Sequence, residues 1–324
     1  MATAEQLKSL IRTHFSDQPE QFFTVALQVA AHEAKQGHES LAHEIRTLVD
    51  KAKARPGRIV PFTPDLNHLV ITTEPTVRLS DLVLSAEMRG RIERILREFH
   101  QKSKLEKHGL SHRRKILLAG PPGTGKTLTA AVLAHEASLP LCTILMDKIV
   151  TKFMGETSAK LRQIFDVIQS NRGVYLFDEF DAIGGERGRD DDVGEMRRVL
   201  NSFLQFIEQD SSDSLIVAAT NNPRILDQAL FRRFDDVLHY DLPNKTEIEQ
   251  LIVNRLGTFR IRRLQGNAAT SVALTLSHAE IVQACDNAIK ETILSDRKTV
   301  STSLLKSMLQ ERRSAYNGSN RGDH

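Results

Sequence analysis

The sequence is poor in cysteine, and the two cysteines that it has do not form a recognisable framework. Cys142 and Cys285 lie far apart among 324 residues and show no C-x-x-C spacing. A disulfide scaffold or a zinc site is therefore not indicated, and a reducing compartment fits this usage. We interpret both residues as small buried apolar side chains.

Long apolar runs are also missing. No run approaches the roughly 18 apolar residues that a membrane-spanning helix needs. Residues 1–15 lack the charged start and the apolar core of a signal peptide. We therefore expect a soluble, cytoplasmic protein with no membrane partner.

The sequence has no strong net charge and lacks two familiar hydrolase motifs. It carries 44 basic and 41 acidic residues, a formal net charge of +3, without a long Lys/Arg block. This balance does not favour nucleic acid as a partner. The patterns H-E-x-x-H and G-x-S-x-G do not occur in the sequence, so neither a zincin protease nor a nucleophile elbow is indicated.

The most informative stretch that is present is residues 120–127, which read G-P-P-G-T-G-K-T. It lies between an apolar run at 116–119 and a helical pattern at 128–137, the context that a P-loop requires. Glycines let main-chain N–H groups turn towards phosphate oxygens, and the helix N-terminus adds the positive end of its dipole. The alternative is a chance turn between a strand and a helix.

Two side chains of this loop have specific predicted roles. Lys126 is placed to reach the β- and γ-phosphates of ATP, and the Thr127 hydroxyl to hold Mg²⁺. ATP and Mg²⁺ are therefore the expected ligands. The predicted nucleotide-binding residues of this stretch are Gly120, Pro121, Pro122, Gly123, Thr124, Gly125, Lys126, Thr127 and Leu128.

A second polar cluster is predicted where two apolar strands end. Asp178 and Glu179 follow the run Val174–Phe177, as in a Walker B motif, and Asn221 follows the run 215–220. We expect Asp178 to support Mg²⁺, mostly through water, and Glu179 to orient and activate the attacking water. Asn221 would hold the same water or the γ-phosphate. The alternative for the acids is a solvated strand end.

Strand and helix patterns alternate through the middle of the chain. Apolar runs at 116–119, 139–147, 173–179, 215–220 and 237–240 predict an α/β fold with a parallel sheet covered on both faces, the three-layer αβα arrangement of a P-loop NTPase. The run 69–72 is either a short strand or an extended tether. The predicted divisions are a helical N-terminal domain at 1–54, a linker at 55–80, a large α/β subdomain at 81–243, a helical lid at 244–313 and a disordered tail at 314–324.

Together these motifs resemble the AAA family of ATPases, from about Asp81 to about Leu309. The layout, a short helical N-terminal domain before one AAA module, is similar to bacterial members. The segment 226–235 resembles the family's second region of homology, which supplies arginine fingers to a neighbouring subunit. The resemblance therefore implies a homo-oligomeric ring, usually a hexamer, with shared active sites.

The arginine pair departs from the family pattern. Two residues normally separate the paired arginines, but Arg232 and Arg233 are adjacent. We favour Arg233 slightly as the finger, and a surface salt bridge is the alternative for one of the two. The resemblance of Leu276–Glu280 to the start of the lid helix implies contact of His278 and Ala279 with the adenosine. Val83 is implied as an adenine contact.

The segment Thr151–Glu156 resembles the central pore loop of protein-threading AAA rings. There, an aromatic residue, an apolar residue and a glycine grip an extended polypeptide, which corresponds here to Phe153, Met154 and Gly155. The alternative is that Phe153 lies in the core. Residues 184–194 would form a second pore-facing loop, and the alternative for its acidic run 190–192 is a solvated turn or a contact between subunits.

Three functions follow as hypotheses. The leading one is ATP hydrolysis by a ring that remodels or unfolds a protein substrate drawn through its pore. The second is a nucleotide-gated scaffold or regulator of a partner such as a separate subtilisin-like protease. The third, a nucleic-acid motor or clamp-loading ATPase, is disfavoured by the modest charge.

Overall fold

The computed structural model of the chain describes residues 8–9, 19–54, 66, 68–152, 156–181, 190–225, 228–260 and 266–319. The predicted pore-loop residues Phe153, Met154 and Gly155 lie outside them, as do residues 182–189 and most of the first predicted helix. The chain divides into two compact units, residues 1–58 and 59–324.

Within residues 19–54, the first unit contains two packed helices, α1 (Pro19–Lys35) and α2 (Glu39–Ala54). Gly37 joins them with a φ of 85°, a left-handed conformation that glycine adopts without strain. Among the residues whose burial is described here, few apolar side chains are buried, and most of them are small. They are Ala26, Val29, Ala30, Ala42 and Val49.

The second unit is built on a six-stranded sheet with the order β1-β3-β4-β5-β2-β6. Every neighbouring pair is parallel except β1 and β3, which are antiparallel. The run 69–72 is thus part of an edge strand rather than a tether. The strands are β1 (Val70–Thr73), β2 (Lys115–Ala119), β3 (Leu141–Leu145), β4 (Val174–Asp178), β5 (Leu215–Thr220) and β6 (Asp236–His239).

Helices cover both faces of this sheet. Side chains alternate along β4, so that Tyr175 and Phe177 join one apolar cluster and Leu176 joins the other. The α/β fold with its three layers is therefore confirmed. The helices of this part whose bounds the structure describes are α3 (Ala86–His100), α4 (Lys102–Glu106), α5 (Lys126–Glu136), α6 (Met146–Lys152), α7 (Thr157–Ser170), α8 (Asp190–Gln209) and α9 (Gln228–Phe231).

One predicted strand is too long. The run 139–147 was expected to be strand throughout, but β3 ends at Leu145 and α6 begins at Met146. Met146 and Ile149, three residues apart, are both fully buried, which is helical spacing. Helix α6 extends to Lys152, so the first two residues of the predicted pore-loop segment Thr151–Glu156 are helical.

Four further helices are described between residues 244 and 319, the segment that contains the predicted lid and is called the lid below. Asn244 and Ser277 cap two of them through side-chain bonds to Glu247 N–H and Glu280 N–H, and Ser301 accepts from Leu304 N–H. They are α10 (Lys245–Leu256), α11 (Gly266–Ala273), α12 (His278–Leu294) and α13 (Thr302–Ser319). Short 3₁₀ turns occur at Leu79–Asp81, Pro223–Ile225 and Gly257–Phe259.

Two expectations for the lid need correction. Helix α11 was not predicted from the sequence. Helix α13 continues past Arg313 to Ser319, so residues 314–319 of the predicted disordered tail are helical, since no proline stops the helix there. Among the described helices, none combines the length and the apolar character needed to cross a membrane.

Candidate nucleotide site

The glycine-rich loop runs from the end of β2 to the start of α5. Gly123 and Gly125 have φ angles of 73° and 99°, which a side chain would strain. Gly120 lies so close to β6 that a Cβ atom on it would stand 2.2 Å from the carbonyl oxygen of Tyr240. The glycines are therefore required by the main-chain path of the loop itself.

Lys126 begins α5 and points back into the loop. Its Nζ donates to the carbonyls of Gly120 and Pro121, at 2.8 Å each. Burial lowers the pKa of this ammonium group, and the nearby charges of Asp178 and Asp181 act in the opposite direction. The cation is thus held at one position, close to where the loop N–H groups can receive a phosphate.

Thr127 and Asp178 meet at the carboxyl ends of the parallel strands. The Thr127 hydroxyl donates to the Asp178 carboxylate at 3.0 Å. A hydroxyl beside a carboxylate is the oxygen donor set that Mg²⁺ takes together with waters and substrate phosphates. Within the described residues there is no group of three or more His, Cys, Asp or Glu side chains that could hold a metal alone. The pair therefore fits a magnesium ion that arrives with a nucleotide.

Glu179 follows in an unusual main-chain conformation. Its φ is 52°, rare for a residue with a side chain, and its N–H donates to the Asp178 carboxylate at 3.0 Å. The turn lets Phe180 N–H bond the carbonyl of Ala219 on β5 at 2.9 Å. Glu179 is left exposed beside the loop. Its carboxylate is free to contact water at this edge of the sheet.

These elements enclose a cleft of about 510 Å³ between the P-loop, the strand ends and the lid. Asn221 lies on its wall, with its N–H bonded to Asp181 at 3.2 Å. The predicted site residues that line it are Val83, Pro122, Gly123, Thr124, Gly125, Lys126, Thr127, Leu128, Asp178, Glu179, Asn221, His278 and Ala279.

Some predicted residues lie elsewhere, and some lining residues were missed. Gly120 and Pro121 do not line the cleft but bond Lys126 from behind. Leu82 and Leu84 stand beside Val83, and Val282 stands one turn after His278, so closeness to predicted contacts was the available signal for these three residues. The missed residues are Asp81, Leu82, Leu84, Leu251 and Val282.

The lid contacts the P-loop directly through the first turn of α12. Ala279 N–H donates to the carbonyl of Gly123 at 3.0 Å. His278, one residue earlier, is largely buried, and burial lowers the pKa of its imidazole, while the charge of Glu247 and a bond to the Val83 main chain act in the opposite direction. Within the described residues its Nδ1 has no hydrogen-bond partner. Burial therefore favours the neutral form of this imidazole.

The two adjacent arginines differ in their surroundings. Arg233 forms an ion pair with Glu208 on α8, so the salt bridge left open by the sequence is present at Arg233. Arg232 is exposed and makes no ion pair within the described residues. Neither arginine lines the cleft of its own chain.

Comparison with known proteins agrees with this geometry. The family "ATPase family associated with various cellular activities (AAA)" matches residues 116–242. An AAA family ATPase of Sinorhizobium fredii, y4kL, is 34% identical over 93% of this chain and 92% of its own length. The chain therefore belongs to the AAA family, and it is an ATP-hydrolysing enzyme.

Other relatives are longer, and a solved structure shares the fold. The proteasome-activating nucleotidase of Thermococcus onnurineus is 32% identical over 67% of this chain and 57% of its own length. The ATP-dependent zinc metalloprotease FtsH 1 of Thermomicrobium roseum is 32% identical over 61% of this chain and 31% of its own length. The AAA domain of FIGL-1 superposes with a TM-score of 0.61 at 21% identity, covering 81% of this chain and 98% of that domain, which shows the fold alone.

Proposed function

We propose that the chain assembles into a hexameric ring that couples ATP hydrolysis to remodelling or unfolding of a protein substrate drawn through a central pore. The proposal of a ring rests on one observation, a nucleotide site that is incomplete within a single chain. Within the described residues no arginine lines the cleft, while Arg232 is exposed outside it. Transfer of a phosphoryl group needs positive charge that a neighbouring subunit can supply.

In this proposal the chain's own residues hold and orient the reacting groups. The loop N–H groups and Lys126 bind the β- and γ-phosphates. Glu179 orients a water molecule and accepts its proton, and Asn221 holds that water or the γ-phosphate. Thr127 and Asp178 would hold Mg²⁺, which when bound neutralises phosphate charge. Val83, His278 and Ala279 contact the adenosine under the lid.

The arginine finger is assigned to Arg232, in place of the initial preference for Arg233. Glu208 forms an ion pair with Arg233 within the chain. This ion pair would have to break before Arg233 could reach another subunit. The exposed Arg232 guanidinium needs no such release. The neighbour's Arg232 would thus stabilise the charge that develops on the transferred phosphoryl group.

The protein substrate is proposed from the relatives and from the pore-loop pattern. Two relatives carry names that join an ATPase to proteolysis, a proteasome-activating nucleotidase and an ATP-dependent zinc metalloprotease. The Phe-Met-Gly stretch at 153–155 falls between the end of α6 and the start of α7. Since the sequence lacks H-E-x-x-H, degradation would require a separate protease as a partner, and the buried Cys142 and Cys285 fit a cytoplasmic setting.

A trap experiment tests the proposal. Glu179→Gln is expected to bind ATP without hydrolysing it, and Lys126→Ala is the matched variant that cannot bind. Each is purified from native extract with ATP and Mg²⁺, the assembly is weighed, and bound proteins are identified. A ring with captured proteins that Lys126→Ala lacks supports the proposal. A monomer without cargo, or a ring that holds nucleic acid, contradicts it.

A second variant separates threading from hydrolysis. Phe153→Ala is expected to keep ATPase activity within about twofold, because the proposed role of Phe153 is to grip the substrate and not to bind nucleotide, and to lose substrate remodelling. Unfolding of a captured substrate is followed by protease sensitivity. Unchanged remodelling in Phe153→Ala would show that this loop does not grip substrate.

A further inference from the structure

A buried tyrosine hydroxyl lies behind the P-loop. Tyr240 follows β6 and is 4% exposed, and its hydroxyl donates to the Thr129 hydroxyl at 2.7 Å. Burial raises the pKa of this phenol to about 12, and the bond to Thr129 acts in the opposite direction. The hydroxyl therefore remains a hydrogen-bond donor throughout the physiological range.

Thr129 in turn contacts the residue that directly precedes α5. Its hydroxyl donates to the carbonyl of Gly125 at 3.1 Å. Gly125 is the left-handed residue that begins the helix, directly before Lys126 and Thr127. Two consecutive hydrogen bonds thus connect Tyr240 to the turn that presents both functional side chains.

The main chain of Tyr240 supports the other end of the loop. Its N–H donates to the carbonyl of Ala119 at 2.7 Å. Its own carbonyl oxygen is the atom that leaves no space for a Cβ on Gly120. One residue therefore contacts the P-loop where it begins, at Gly120, and through Thr129 where it ends, at Gly125.

We propose that Tyr240 is a positioning residue for nucleotide binding, whose hydroxyl acts through Thr129 to keep the P-loop in the conformation that accepts phosphate. Residues 241–244 lead from Tyr240 directly into α10 of the lid. The segment that connects the two subdomains is therefore the one that fixes the loop. The inference rests on nucleotide binding at this loop and not on threading.

The size of the effect follows from the fraction of molecules with a competent loop. If the hydrogen bond between Tyr240 and Thr129 is lost, that fraction falls, and the apparent Kd of the nucleotide rises by the same factor. A single hydrogen bond contributes on the order of 1 kcal/mol, so the factor is about 3 to 10. ADP and ATP are affected equally because both contact the loop, and kcat at saturating ATP changes by less than about twofold.

The test measures binding of fluorescent ADP and ATP to the full chain. Tyr240→Phe keeps the aromatic side chain and removes only its hydroxyl. It should weaken the binding of both nucleotides. Thr129→Val should do the same, while Thr129→Ser keeps the hydroxyl and should bind normally. Because both residues belong to one relay, the double variant Tyr240→Phe/Thr129→Val should be no weaker than Thr129→Val alone.

Tyr175 supplies a matched control in the same sheet. Its buried hydroxyl also donates to a single partner, the carbonyl of Asn171, at 2.8 Å, and it lies near the opposite end of β4 from Asp178. Tyr175→Phe should lower the thermal stability about as much as Tyr240→Phe and leave both Kd values unchanged.

Three outcomes would overturn the inference. They are an unchanged Kd in Tyr240→Phe, an equal loss of affinity in Tyr175→Phe, and additive losses in the double variant. If the wild-type chain fails to bind ADP, the nucleotide site itself is wrong. If it binds ADP but captures no protein in the trap experiment, only the threading proposal fails.

Discussion

The main-chain N–H of Ala279 donates to the carbonyl oxygen of Gly123 at 3.0 Å. This bond joins the first turn of lid helix α12 to the middle of the P-loop. The first N–H groups of a helix have no partner within the helix, so the loop satisfies one of them. The position of the lid and the conformation of the loop are therefore linked through the protein itself.

The linkage predicts a specific cost for a side chain at Gly123. A Cβ there would stand 2.6 Å from Ser277 Oγ, whereas a Cβ on Gly125 would meet nothing within 4 Å. Both positions have a positive φ, which costs alanine roughly 1–2 kcal/mol. Gly123→Ala should therefore lower the free energy of unfolding more than Gly125→Ala does, as measured by urea denaturation without nucleotide.

A second substitution isolates the contact with the lid. Ser277→Gly removes the two nearest atoms, Ser277 Oγ and Cβ, and the loss of the serine cap costs only a few tenths of a kcal/mol. It should restore part of the stability of Gly123→Ala and none of that lost in Gly125→Ala. Equal behaviour of the two glycine variants would mean that the lid does not rest on Gly123.

The sequence predicts the parts of this site that local patterns encode. The loop glycines, Lys126 and the acids at 178–179 stand in one continuous strand–loop–helix or strand-end context, and the lid caps Ser277 and Ser301 stand directly before apolar periodicity. The fold class follows from the same patterns and is confirmed. That the individual residues bind nucleotide stays a prediction.

Features that depend on distant partners could not be predicted in this way. The antiparallel direction of β1 is fixed by its pairing with β3, in which Val70 lies opposite Ile144. The contact of Tyr240 with Thr129 joins residues far apart in sequence. Helix α11 has only eight residues, and a helix this short depends on tertiary packing more than on its own pattern.

The partly buried His278 predicts a loss of stability in acid. Burial lowers its pKa in the folded state, as it also does for His112. When the pH falls below about 6.5, the unfolded chain takes up protons before the folded chain does. Stability is therefore fully present above that pH and is lost as the pH falls through the folded-state pKa.

Urea denaturation at several pH values from 7.5 to 5 checks this expectation, with pH limits set around the ordinary histidine pKa of about 6.5. His278→Gln should reduce the loss of stability between the two ends of the series. His108→Gln, which removes an exposed histidine, should leave that loss unchanged. An identical pH dependence in His278→Gln and the wild type would contradict the prediction.

A buried ion pair at the start of β2, between Arg114 and Asp210, predicts a large effect on the free energy of unfolding. Arg114 donates to both the side chain and the main-chain carbonyl of Asp210, whose side chain is fully buried. Gln169 and Ser212 also donate to this carboxylate, at 3.1 and 3.2 Å. Removal of the cation leaves a buried charge without its counterion, which costs about 3–5 kcal/mol.

Arg114→Met should therefore strongly lower the free energy of unfolding at pH 7. The double variant Arg114→Met/Asp210→Asn removes both charges, so it should be more stable than Arg114→Met alone. Urea denaturation of the three variants measures this difference. A loss below about 1 kcal/mol in Arg114→Met would show that the pair behaves as an exposed salt bridge.

The assignment of Arg232 predicts that two inactive variants restore each other. Arg232→Ala should lower ATPase activity by about 10³ or more, because an arginine finger contributes about 10³–10⁵ to the rate. The Arg232→Ala subunit keeps its own Glu179. A Glu179→Gln subunit retains Arg232, so a mixed ring places an intact finger beside an intact carboxylate. Activity should therefore appear when the two inactive proteins are mixed.

Arg233 provides the comparison within the same segment. Arg233→Ala should lose the bond to Glu208 and keep most of its ATPase activity, and Glu208→Gln should resemble it. Mixing Arg232→Ala with Lys126→Ala should also restore activity, since that subunit too carries an intact finger. If no mixture recovers activity although the subunits co-assemble, Arg232 acts within its own chain; if Arg233→Ala is the inactive variant that mixtures rescue, the finger is Arg233.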